Sequence, residues 1–161
     1  MPTHAPLPSS RRQDRNLLSG CLFGLGFVAF VDETVFHQLL HWHHFYDKAT
    51  SNIGLASDGL FHAFSWFATI ISLFQLADLR RREEWNKPRW LGAALMGAGA
   101  FQLYDGLIQH KLMRLHQIRY VPDIAVYDIV WNAFAAVMLL AGAVIIRRVP
   151  AERYGDPGAE Q

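Results

Sequence analysis

The sequence has one cysteine, Cys21, which excludes a disulfide framework and a thiolate metal motif. It has no C-x-x-C-H, which excludes covalently attached haem. It has no charge bias: 15 Lys and Arg stand against 14 Asp and Glu, so nothing in the balance favours a nucleic-acid partner. None of its prolines falls inside four long apolar stretches. Those stretches also lack the polar face at 3.6-residue spacing that a helix of a soluble bundle would carry.

What is present is apolar residues in blocks and charges in bunches. The hydrophobic fraction is 52%, yet mean hydropathy is only +0.09 because the charges collect between the blocks. Leu17–Val31 runs on towards Leu40, Gly59–Ala77 has no formal charge, Trp90–Tyr104 runs on to Leu107, and Ile129–Ile146 is uncharged. A membrane span needs roughly 20 apolar residues. The second and fourth blocks come close alone. The first and third reach that length only by including Asp32 or Asp105. The expectation is an all-α integral membrane protein, a four-helix bundle in contact with lipid over residues 15–149, with disordered cytoplasmic tails at 1–14 and 150–161. The first block reads as a span and not as a cleaved signal peptide, because its apolar run is long and no A-x-A site follows it.

Lys and Arg set the expected topology. Arg11, Arg12 and Arg15, then Arg80, Arg81, Arg82, Lys87 and Arg89, then Arg147, Arg148 and Arg153 fall on one side; Lys48, Lys111, Arg114 and Arg119 fall on the other. Both termini are therefore expected in the cytoplasm, with the chain in a bacterial inner membrane.

The blocks repeat. A shift of 73 positions lays Gly24, Gly26, Asp32, His37, Leu39 and His43 on Gly97, Gly99, Asp105, His110, Leu112 and His116, so both copies read G-x-G-x5-D-x4-H-x5-H. A shift of 70 lays Asp58, Ala63 and Phe64 on Asp128, Ala133 and Phe134, with His62 on Asn132. The chain reads as a duplicated transmembrane helix hairpin, residues 17–79 and 90–147, whose copies share orientation about an axis along the membrane normal. Gly20 and Gly24, like Ala93 and Gly97, form small-x3-small pairs that let helices approach closely, and they predict contact between the first and third spans.

The polar residues fall at one depth. Asp32 and Asp105 each lie 15 positions into their block, Leu17 to Asp32 and Trp90 to Asp105, or ~22 Å along a helix. Seven of the 8 histidines belong to this layer or to the rim above it. Ionisable groups in a bilayer are costly, so Asp32, Asp58, Asp105, Asp128 and the histidines must face one another. Three readings compete.

The first is a metal site drawn from Asp32, His37, His41, Asp58, His62, Asp105, His110, His116 and Asp128; donors without thiolate suit copper, zinc or iron. Asp32 and His37 lie i, i+5, about 140° apart on a regular helix, so they can share an ion only if the helix is distorted. The second reading is non-covalent haem b with His37 and His110 as axial ligands in electron transfer or oxidoreductase chemistry. The third is a hydrogen-bonded network, with proton-coupled transport as its functional form. His43 is expected at the rim, where it would matter less than His37 or His110.

The stretches VDETVFHQLLHWHH, DGLFHAFSW, FQLYDGLIQHKLMRLHQIRY and YDIVWNAF resemble a bacterial family of predicted four-helix membrane proteins, catalogued as domain of unknown function 2243. The resemblance covers about residues 15–148. It implies the four-span fold and proximity to cytochrome oxidase assembly factors, hence copper handling or haem. The family pattern has Asp-Gly at the first motif, as in Asp105-Gly106; this chain has Asp32-Glu33, which adds a carboxylate. Self-association into a homo-oligomer is left open by the sequence.

Overall fold

A computed structural model describes residues 9–150. Helix α1 runs over Ser9–Asp32 and widens into a π-helix over Glu33–Leu39. After an irregular segment, α2 covers Ser51–Arg81. Helix α3 covers Lys87–Leu103 and widens in the same way over Tyr104–Met113, and α4 covers Ile124–Arg148. There is no strand among the described residues. Residues 9–14, expected as tail, are the first turns of α1; the remainder of both expected tails, 1–8 and 151–161, lies outside the described residues.

All four helices are long and apolar enough to cross a membrane: Ser10–Leu39, Ser51–Arg81, Lys87–Met113 and Ile124–Arg148. Their outward surface is apolar, with Leu60, Phe74, Ile129 and Leu140 each more than 60% exposed. Such a surface is unfavourable in water and ordinary in lipid. Polar groups are inside instead, among them Asn16, Ser19, Ser65 and Ser72.

Helices α1 and α3 form the central pair, with α2 against α1 and α4 against α3. Small residues make the pairing close. A Cβ on Gly24 would overlap the Ala94 backbone, and one on Gly97 would overlap the Cys21 backbone. These two contacts are the same contact at a 73-residue shift. Gly26 and Gly99 do likewise for the flanking helices, against Thr69 of α2 and Leu139 of α4. With no hydrophobic drive between helices in lipid, close van der Waals approach and interhelical hydrogen bonds hold the pairs. Ser72 Oγ donates to the Ser19 carbonyl at 2.8 Å, and Trp90 Nε1 donates to Ser19 Oγ at 3.0 Å.

One end of the bundle is tied by charge and amide groups. Arg15 pairs with Asp78 and Glu84, and buried Asn16 donates to the Glu84 carbonyl and accepts from Asn86 N–H, each at 2.9 Å. Helix α3 starts beside this knot, with Asn86 capping Arg89 N–H at 3.0 Å and Pro88 in the first turn, where its missing N–H costs nothing. The candidate site is at the opposite end.

A buried histidine and carboxylate centre

The π turns answer the problem of Asp32 and His37. An i→i+5 turn brings residues five apart onto nearly the same side, which a regular α-helix does not. Asp105 Oδ2 thereby lies 3.0 Å from His110 Nε2, and Asp32 Oδ2 lies 3.9 Å from His37 Nε2. Glu33, four residues before His37, places Oε2 2.8 Å from His37 Nδ1. The backbone carries the same widening, with Leu40 N–H donating to the Val35 carbonyl at 2.9 Å.

Each π segment is followed within two residues by one with positive φ, His41 at 50° and Arg114 at 54°, which again are 73 positions apart. A left-handed residue reverses the chain at a helix end. Here the reversal folds the following residues back over the bundle and buries His43 and His116. This corrects the expectation that His43 stays at the rim: a helix continued past Leu40 would put it there, but the turn at His41 does not continue the helix.

Four imidazoles meet. The rings of His43 and His116 stack at 4.6 Å and 7°; His37 lies 4.5 Å from His43, and His110 lies 4.6 Å from His116. His43 Nδ1 donates to the Ile118 carbonyl at 3.0 Å, and His116 Nδ1 donates to the Phe45 carbonyl at 2.8 Å. A carbonyl only accepts, so both Nδ1 atoms carry a proton, and in a neutral ring the Nε2 atom is left with a lone pair. Burial, with the neighbouring imidazoles, pushes the pKa of His43 down to about 2, which keeps that ring neutral.

Asp58 enters from α2. It accepts from Phe45 N–H at 2.7 Å and from His44 Nδ1 at 2.6 Å, and it lies 3.2 Å from His37 Nδ1. Asp32, Glu33, His37, Asp58, Asp105, His110 and His116 are all at most 3% exposed. Three other expected ligands are elsewhere. His41 is exposed at the turn. His62 is exposed on α2 with its ring 5.3 Å from Phe30. Asp128 pairs with Lys111 at 2.6 Å. In exchange the centre gains His43 and Glu33, which were not among the expected ligands; the Asp-Glu step in the first motif is the signal for Glu33, and the shared H-x5-H spacing is the signal for His43.

The centre is covered by apolar side chains. Phe45, Phe61 and Phe101 stand on the α2 side beside a cavity of about 420 Å³, and Phe36, Trp42 and Trp131 pack on the α4 side. Such a shell limits solvent access and lowers the local dielectric.

The donor set fits a metal ion. Buried atoms without a hydrogen-bond partner include Asp32 Oδ1, Glu33 Oε2, His37 Nε2, His116 Nε2 and both ring nitrogens of His110. Asp105, His110 and His116 each offer one atom within 4.8 Å of the others; so do His37, His43 and His116, and so do Glu33, His37 and Asp58. Ligands bound at ~2.0–2.2 Å in tetrahedral geometry are about 3.3 Å apart. The 3.4 Å between His116 Nε2 and Asp105 Oδ1 is of that size.

The family of predicted membrane proteins catalogued as domain of unknown function 2243 matches residues 19–149. The chain belongs to that family. The match takes in α1 from Ser19 onward, the other three helices and every residue of the centre. No curated protein and no solved structure matches the chain. Membership of the family, with the four apolar helices, makes this a multi-pass helical membrane protein.

Proposed function

We propose that the protein binds a transition-metal ion at Asp105, His110 and His116, with His43 stacked beside them, in the outer half of a bacterial inner membrane. One observation carries the reading. His116 Nε2 faces the carboxylate of Asp105 at 3.4 Å, with an Nδ1 proton committed to the Phe45 carbonyl. With the ring neutral these are two acceptors, which repel in a buried site unless a proton or a metal ion stands between them. Imidazole and carboxylate without thiolate select copper(II), zinc or iron over magnesium and calcium, and copper(II) heads the affinity order. Copper handling for respiratory enzymes is the role we attach to the site. The duplicated hairpin and the cytoplasmic termini belong to the same reading; the contacts that recur at a 73-residue shift support the first, and the Lys and Arg bias supports the second.

Haem is the weaker alternative. His43 and His116 fill the space between His37 and His110, at 4.5 and 6.0 Å and at 6.0 and 4.6 Å respectively, where a porphyrin would have to lie. The optical spectrum separates the two, since only haem gives a Soret band.

The test is metal content after purification in mild detergent without chelator. Wild-type protein is expected to retain copper. His116→Ala is expected to lose at least tenfold in affinity while still inserting, and affinity should fall as pH drops through the histidine range because protons compete for the same lone pairs. Unchanged affinity in His116→Ala, with the helical spectrum intact, would remove the site.

A further inference from the structure

We infer that the centre takes a second cation, held by Glu33, Asp58 and Nδ1 of His37. The inference rests on the metal reading above and extends it to a two-ion site. Glu33, His37 and Asp58 form a group that shares no residue with Asp105, His110 and His116, and its three ligand atoms lie within 4.8 Å of one another. Glu33 is wholly buried, and its Oε2 has no hydrogen-bond partner although it lies 2.8 Å from His37 Nδ1. Asp58 Oδ1 lies 3.2 Å from the same nitrogen. Two carboxylates thus converge on one ring nitrogen, which has at most one proton to offer. Both separations are near the ~3.3 Å expected between neighbouring ligands of one tetrahedral ion.

Charge supports the same count. Asp32, Glu33, Asp58 and Asp105 are all buried, and their ion pairs are with histidines. Were all four ionised, one divalent ion would offset half of that charge, and two would offset all of it with every imidazole neutral. Uncompensated charge in a dry interior is unfavourable. When the second ion binds, any proton on His37 Nδ1 leaves to solvent or moves to Nε2, and no bond is made or broken otherwise.

The second half of the chain cannot repeat this site. Gly106 stands where Glu33 would be, and a Cβ there would meet Asn132 Oδ1 at 2.6 Å and Trp131 Cδ1 at 2.8 Å. Asp128, the counterpart of Asp58, is held by Lys111 at 2.6 Å. The count is therefore two.

The experiment is copper(II) chloride loading of the purified full chain, followed by desalting, metal analysis and electron paramagnetic resonance. Wild type is expected to hold two coppers per chain with a dipolar-coupled spectrum. Glu33→Gln is expected to hold one, with the spectrum of an isolated ion; should that variant fail to fold, Glu33→Gly, which copies Gly106, serves instead. One copper in wild type, unchanged by either variant, overturns the second site and leaves the first standing. No copper in wild type overturns both.

Discussion

At the scale of the residue, small side chains and histidines limit the molecule for different reasons. Gly97 is held against the Cys21 backbone, so Gly97→Val forces α1 and α3 apart and should cost at least about 1–3 kcal/mol, read as a lower unfolding temperature in detergent. Gly59 has nothing within 4 Å of an added Cβ, so Gly59→Ala should instead gain ~0.5–1 kcal/mol from helix propensity. Asp32, His37, Asp105, His110 and His116 were legible because equal depth forces polar groups together. His62 misled because depth alone does not fix a face. The buried residues of α2, Gly54, Asp58, Phe61, Ser65, Ala68, Ser72 and Leu79, fall on one stripe at steps of three, four and seven, and His62 lies one residue off it. Ser65 and Ser72, small and polar in a lipid-facing helix, marked that stripe in the sequence.

At the scale of the element, the two ends of the bundle are separate structures. Asn16 ties α1 to the α2–α3 connection with both of its side-chain atoms while 1% exposed. Asn16→Ala leaves the Asn86 N–H and the Glu84 carbonyl unpaired and should cost about 1–3 kcal/mol in thermal stability. Copper content should not change, since the proposed metal ligands are at the far end; a parallel loss of copper would show that the ends are coupled. Helix existence and extent were legible because lipid demands long apolar runs. The π segments were legible only as a conflict, Asp and His five apart with a need to meet. No local propensity marks the widened turn; the buried partners impose it.

At the scale of the whole molecule, the side proposed for the centre rests on charge. Reporter fusions at Leu55 and Pro122 should read as external, and one at Asn86 as internal. An external reading at Asn86 would move the centre to the cytoplasmic side and take extracytoplasmic copper out of consideration. The order of the helices had no sequence signal beyond the paired glycines, because apolar faces look alike in lipid.

The crossed hydrogen bonds of His43 and His116 set a schedule for biogenesis. The carbonyl that fixes the His43 ring belongs to Ile118, 75 residues downstream. A ribosome adding ~5–20 residues per second needs roughly 4–15 s to reach it. For that interval the His43 ring lacks the carbonyl that orients it. The first hairpin waits on a second hairpin that has the same need of it. Each half holds one proposed ligand set but lacks the carbonyl that orients its stacked imidazole, so on the proposed metal reading tight loading follows translation of the full chain, and two halves expressed separately should match its copper affinity only when they are made in the same cell.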